Sequence, residues 1–283
     1  MRVLVTGAAG LLGAAIVHRF ERAADVHASD HADLDIADDN AVQKAVGRVR
    51  PDVVINCAAY NDVDRAESDA EGALRVNAFG VLALARACGS VGATLIHYST
   101  DFVFDGDAAV PYTEEDPPNP RSVYGSSKLL GDWFAADAPR HYVLRVESLF
   151  GGPGVMRGAR SGSLGTIVNR IRAGEEVPVF VDRTVSPSYT PDVAEATWRL
   201  LARDAPSGMY HCVNTGAATW AAIAREAARL LECPVTMREL TLESVALKAP
   251  RPRYCALSNA RLAAMDIEMP AWEDALARFL NSG

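Results

Sequence analysis

"VTGAAGLLGAA", residues 5–15, decides how the rest of the chain is read. Gly7, Gly10 and Gly13 follow an apolar run that begins at Arg2, and an apolar helical pattern follows them. A glycine-rich turn between a strand and a helix has a plain use, which is to connect them. It has a second use where a phosphate must approach the backbone. Glycine permits the tight turn, the close approach of a pyrophosphate and tight helix–strand packing, and the helix N-terminus then offers free N–H groups. The spacing alone is common. Its place between a first strand and a first helix favours the dinucleotide, with Gly7, Gly10, Leu11, Leu12 and Gly13 as the candidate cradle.

Outward from this stretch, short β-branched runs alternate with helical ones. "DVVIN" (52–56), "ATLIHYS" (93–99) and "HYVLRV" (141–146) read as strands; "GLLGAAIVHRFERA" (10–23) and "EGALRVNAFGVLALARACGS" (71–90) read as helices. That alternation predicts an α/β fold, a Rossmann-type doubly wound parallel sheet covered by helices on both faces. After residue 147 the alternation weakens, with glycines and prolines at "FGGPG" (150–154), "VSPSYTP" (185–191) and "APRPR" (249–253). The expectation is a dinucleotide-binding domain over 1–147, completed by segments from about 182–211, and a smaller C-terminal α/β substrate lobe over 148–283.

The net charge of −8 argues against nucleic acid or an anionic membrane as partner. No stretch reads as a membrane span and the N-terminus enters strand pattern directly, without a signal peptide. Five scattered cysteines without C-x-x-C spacing suit a reducing compartment and no zinc site. The expected location is cytoplasmic.

Asp30 ends the second strand pattern, where a carboxylate accepts both ribose hydroxyls of a dinucleotide; a solvated loop charge or a helix cap is the alternative. In "LDIAD" (34–38), Asp35 and Ile36 are placed to reach the adenine, unless Asp35 simply caps the next helix.

"YGSSK" sets Tyr124 and Lys128 four residues apart, on one face of a helix. A phenol has a reference pKa of roughly 10 and needs help to act near neutrality. An ammonium one turn away favours the phenolate and hydrogen-bonds a nicotinamide ribose. Upstream, "YSTDFVFDG" (98–106) puts Ser99 and Thr100 at the carboxyl end of a strand, where open α/β sheets bind ligands. These hydroxyls are candidates to hold a carbonyl oxygen beside Tyr124, against ordinary turn chemistry for Ser-Thr-Asp.

These residues resemble the extended short-chain dehydrogenase/reductases, and within them the dTDP-4-dehydrorhamnose reductase family. The resemblance runs nearly end to end: "TGAAGLLG", "DLDIAD", "INCAAYNDVDRAE", "VNAFG", "STDFVFDG", "PYTEEDPPNPRSVYGSSKLLGD" and "APRPRYCALSNARL". It implies Thr100, Tyr124 and Lys128 as the catalytic trio. Cys57, Ala58, Ala59 and Tyr60 would line the cofactor groove, with Asn77 supporting it. Asp101, Phe102, Ser148 and Arg251 would stand on the substrate side, as would "SPSYTPDVA" (186–194). The implied reaction reduces a nucleoside-diphosphate 4-keto-6-deoxyhexose with NADPH or NADH. Asp30 favours NADH and family habit NADPH, with His31 or a mobile arginine offsetting the repulsion of a 2′-phosphate.

The chain also departs from the family. It reads "RVESLFG" (145–151) where members commonly read "RTSWVYG", so Ser148 replaces a tryptophan and Glu147 adds a carboxylate. Ala15 stands where some relatives carry a glutamate for a magnesium-linked dimer; no metal, and a monomer or weak homodimer, are expected. Asp101-Phe102 lacks the Asp–Glu pair of the sugar-nucleotide dehydratases. The alternatives are a cofactor-binding regulatory subunit resembling that of methionine adenosyltransferase, or a 4-ketoreductase or epimerase of another deoxysugar route.

Overall fold

The computed structural model describes residues 1–151 and 162–282. The first half runs β1 (Arg2–Thr6), α1 (Leu11–Phe20), β2 (Asp25–Ser29), α2 (Asp39–Val49), β3 (Val53–Asn56), α3 (Val63–Ala66), α4 (Ala70–Leu74), α5 (Gly80–Val91), β4 (Thr94–Thr100), α6 (Val123–Ala135) and β5 (Arg140–Val146). There follow β6 (Leu149–Phe150), α7 (Gly162–Arg172), β7 (Val177–Phe180), β8 (Thr184–Val185), β9 (Ser188–Tyr189), α8 (Thr190–Ala202) and β10 (Gly208–His211). The chain closes with β11 (Ala218–Thr219), α9 (Trp220–Leu230), β12 (Met237–Leu240), α10 (Ala260–Ala263) and α11 (Trp272–Asn281).

Six strands form one parallel sheet in the order β10-β5-β4-β3-β1-β2. All four residues of β3 are buried, as are the last six of β4. Helices cover both faces, which is why these strands read as continuous apolar runs rather than alternating ones. Each fully buried Val, Leu or Ile contributes roughly 1.5–3 kcal/mol by leaving water. On one face α1 packs against α8, with Phe20 edge-on to Trp198 at 5.3 Å; on the other lie α2 and α5. The strand order reverses between β1 and β3, so the carboxyl ends of these two strands open a crevice suited to a ligand.

A second core gathers α7, α9 and α11 around Ile167, Ile223 and Leu276, with β7 paired to β12. Short pairs β6–β9 and β8–β11 lead the chain between the two cores. The glycine–proline break at 150–154 extends past residue 151 and so lies partly outside the described residues.

One expectation needs correction. The helical run Ala70–Val91 is long and apolar enough, at mean hydropathy 1.2 over its best window, to meet the length and composition of a membrane span. Half of that window is buried among the other elements, and a π-helical turn (Arg75–Phe79) in its middle buries Asn77. The apolarity is that of a core helix.

Candidate active site

The three glycines do different work. Gly7 has φ +64°, and a Cβ there would lie 2.6 Å from the Ala58 nitrogen beyond β3. A Cβ on Gly13 would lie 2.2 Å from the Gly7 carbonyl oxygen. Both are glycine so that loop, helix and neighbouring strand can close up. Gly10 is different: its φ of −72° suits any residue, and a Cβ there would meet only the Gly7 oxygen, at 3.2 Å. It faces open space at the N-terminus of α1, which has no side-chain cap. The uncapped N–H groups and the open approach fit a pyrophosphate.

From Gly10 a groove of about 730 Å³ runs toward β2, lined by Asp30, His31, Asp35, Ile36 and the Cys57–Tyr60 segment. The Asp30 carboxylate lies there and accepts the Ala32 N–H at 2.8 Å. Asp35 accepts the Ala37 N–H at 3.0 Å and stands 3.9 Å from the His31 ring. The cap of α2 is Asp38, so Asp35 does not serve that purpose. Ile36 is buried and packs on Gly80. Asn77 accepts the Tyr60 N–H at 2.8 Å and donates to the Tyr60 carbonyl and to Ser127. It thus fastens the groove wall to α6 from behind, and it lies in a π-helical turn of a kind frequent at functional sites.

In the other direction the groove deepens into a cavity of about 530 Å³. Leu11, Leu12, Ser99, Thr100, Tyr124 and Lys128 border it, and Gly10, Cys57 and Ala58 are common to both spaces. Ser122 caps α6 by accepting the Gly125 N–H, so Tyr124 sits in the helix's first turn. Tyr124 and Thr100 border the same cavity, and the Thr100 hydroxyl, which donates to Asp101 at 2.9 Å, is close enough to act on the phenol. The pKa of Tyr124 is pushed up, first by burial and then by the charge of Asp101, with Thr100 acting in the opposite direction. Ser99 lines the cavity and is buried, with no hydrogen-bond partner for its hydroxyl.

Lys128, expected to favour the phenolate by its charge and to bond a ribose, is itself anchored on the sheet. Its ammonium donates to the Tyr98 carbonyl at 2.6 Å and lies 3.4 Å from His97, rather than bonding the phenol one turn away. A buried ammonium takes the nearest acceptor, and here that is the strand carbonyl. Burial lowers its pKa to about 8. Behind it, Thr6 donates to Asn56 (2.7 Å) and Asn56 meets His97 (3.1 Å). His97 is held neutral, well below its usual range, by burial and then by the Lys128 charge.

The far wall comes from distant parts of the chain. Arg251 donates to Asp64 at 2.7 Å and, with Arg183, flanks the Phe102 ring at 5.8 and 5.4 Å. Ser148 adopts φ 45° and lines the cavity; Trp220, at the start of α9, contributes an indole to the same wall. Glu147 accepts the Ser186 N–H at 2.6 Å and leaves its other oxygen unpartnered. Arg183 stands 3.8 Å from Asp101. Sequence reasoning missed Arg183 and Trp220, which sit in no motif, and the Thr6–Asn56–His97 line, whose members lie inside quoted stretches but are brought together only by the fold.

The family model described as RmlD substrate binding domain matches residues 1–283. A dTDP-4-dehydrorhamnose reductase of Streptomyces griseus is 40% identical over 285 residues, covering 97% of this chain and 91% of that one. The spore coat polysaccharide biosynthesis protein SpsK of Bacillus subtilis (strain 168) is 32% identical, covering 99% and 97%. Among solved structures, a dTDP-4-dehydrorhamnose reductase of Bacillus anthracis, in complex with NADP, superposes with a TM-score of 0.93 at 31% identity, covering 100% of this chain and 99% of that one.

Proposed function

The chain belongs to the RmlD substrate binding domain family, and on that premise we propose that it is an NAD(P)H-dependent reductase of a nucleoside-diphosphate 4-keto-6-deoxyhexose, most like dTDP-4-dehydrorhamnose reductase. The observation that carries this reading is the meeting of the Tyr124 and Thr100 hydroxyls in the cavity where the Gly10 groove ends. A dinucleotide laid along the groove from Asp30 past Gly10 would reach that cavity with its nicotinamide, which supplies the hydride.

Thr100 holds the C4 carbonyl oxygen and Tyr124 donates its proton to that oxygen as negative charge develops on it. Burial and the Asp101 charge keep the phenol protonated until then. Lys128, fixed on the Tyr98 carbonyl, lends its positive charge to the floor of the site, and its remaining donors serve a ribose hydroxyl. Asp30 favours NADH on charge grounds; the Bacillus anthracis relative is seen with NADP. Residues 1–147 with 182–211 form the cofactor half in this reading, supported by the pairing of β10 with β5; 148–283 is mainly the substrate lobe. The same reading has a cytoplasmic monomer or weak homodimer.

The test is a panel of nucleoside-diphosphate 4-keto-6-deoxyhexoses with NADPH or NADH. The proposal expects cofactor oxidation that depends on the keto sugar, and a single stereochemistry at C4. Tight cofactor binding without oxidation by any panel member would turn the reading toward a regulatory subunit.

A further inference from the structure

Beside the phenol, outside the Thr100–Tyr124–Lys128 set, lies a buried group of ionisable side chains. An oxygen of Asp101, an oxygen of Glu147 and the Cys255 sulfur lie within 4.8 Å of one another. Asp101 and Glu147 are 3% and 2% exposed, and each has one carboxyl oxygen with no hydrogen-bond partner. The facing groups are known from every side. Arg183, ahead of β8, stands 3.8 Å from Asp101 and contacts Cys255; Tyr254 and Cys255 come from the C-terminal segment, and Tyr124 from α6. Arg251 lies across the Phe102 ring. The Cys255 thiol is kept neutral by burial.

Charge balance then decides the protonation state. One guanidinium faces two buried carboxyls, and two carboxylates this close cannot both ionise cheaply. One proton stays with the pair. Asp101 also accepts the Thr100 hydroxyl at 2.9 Å, and Thr100 borders the same cavity as Tyr124 and lies close enough to act on its phenol. The line Glu147, Asp101, Thr100, Tyr124 therefore connects a stored proton to the reacting phenol.

We propose that Asp101 and Glu147 share one proton, and that this proton refills Tyr124 through the Thr100 hydroxyl after each turnover. The inference rests on the reductase reading. When Tyr124 has given its proton to the substrate oxygen, Thr100 passes its hydroxyl proton to the phenolate and takes the carboxyl proton in its place. Both carboxyls are then ionised beside Arg183 until a proton from solvent reloads them. One hydride from the nicotinamide cofactor and one proton, ultimately from water, are consumed per product. Glu147 acts through Asp101 and Thr100, so it is a positioning residue for that proton.

The experiment compares the wild type with Glu147→Gln, which keeps the acceptor for the Ser186 N–H but holds no exchangeable acid. The first turnover, started with Tyr124 protonated, should proceed within twofold of wild type, and KM should be unchanged. Steady-state kcat should fall roughly tenfold or more, with a larger solvent isotope effect. Glu147→Asp, which keeps an acid, should recover part of kcat and shift the alkaline limb of the pH profile. Equal losses in the first and later turnovers, or a raised KM with unchanged kcat, would overturn the relay. So would a wild-type kcat in the Gln variant. If the Gln variant does not fold, an unshifted pH profile in Glu147→Asp overturns it. Absence of turnover by the wild type would overturn the reductase reading together with the relay, whereas an active wild type with an unaltered Gln variant overturns the relay alone.

Discussion

Beneath the sheet-side wall of the cleft, Thr6, Asn56, His97 and Lys128 form a continuous polar line that ends on the Tyr98 carbonyl. On the opposite wall Asp101, Glu147 and Arg183 each keep a buried atom without a partner. Buried polar groups are nearly always satisfied, and the exceptions ask for a reason. The Thr6–Lys128 line is fixed before any ligand arrives, as a cofactor platform should be, although Ser99, Asp132 and Arg145 nearby also keep an unpartnered atom. The unsatisfied wall is completed by what enters: a substrate, a bridging water or a shared proton. The difference separates the part of the site that sets geometry from the part that sets chemistry and choice.

The sharpest way to break this division is at the phenol where the two walls meet. Tyr124→Phe removes the proposed proton donor and leaves the groove intact. It should lose about 10²–10⁴-fold in kcat while binding cofactor as before. Parallel loss of cofactor affinity would mean that Tyr124 belongs to the platform.

The glycines give the next largest effect. Gly10→Val places a side chain in the approach to the α1 N-terminus and should weaken cofactor binding strongly with little change in apo Tm. Gly13→Ala should do the reverse, since its Cβ would lie 2.2 Å from the Gly7 oxygen; overpacking of this kind costs roughly 1–3 kcal/mol. Calorimetric titration and thermal melts of both variants check the pair. Matching behaviour would collapse the distinction between a ligand-facing and a packing glycine.

Asp30→Ala should move the NADPH/NADH ratio of kcat/KM toward NADPH by roughly tenfold, because a like charge a few ångströms from a 2′-phosphate costs about 1 kcal/mol or more. An unchanged ratio at fixed ionic strength would leave Asp30 serving only its turn with Ala32.

The smallest effect probes the platform itself. His97 is neutral in the fold with its pKa depressed well below 6.5, so its contribution is complete above about pH 6.5 and is lost as pH falls below it, when the unfolded chain takes the proton. One pH unit below that point corresponds to about 1.4 kcal/mol, or a few degrees in Tm. The Tm advantage of wild type over His97→Gln should therefore shrink between pH 7.5 and 5.5. A constant gap would contradict the buried neutral imidazole.

The inner strands β1, β3, β4 and β5 were legible because most of their residues are buried and read as apolar runs, and because Gly7, Gly10 and Gly13 mark the turn after the first; the edge strands β2 and β10, with few or no buried residues, carry a weaker signal. Tyr124 and Thr100 were legible through motif and strand-end position. The direction of Lys128 was not. Helical spacing says which side chains share a face, but not that a strand carbonyl would lie nearer to the ammonium than the phenol does. Arg183 and Trp220 were illegible for a different reason: they reach the cleft from separate elements of the second core, and no local pattern carries long-range position. Glu147 was visible as a departure from "RTSWVYG", yet its burial beside Asp101 needed the fold.

In the proposed reaction this cleft delivers a hydride to C4 of a keto sugar nucleotide with Tyr124 as proton donor. The direct test uses NADPH or NADH deuterated at the transferable position of nicotinamide C4, with mass and NMR analysis of the sugar product. One deuterium at sugar C4, produced by the wild type and nearly absent with Tyr124→Phe, is the predicted result. Bound cofactor that transfers no deuterium to any 4-keto substrate, or label that appears equally with both proteins, would contradict it.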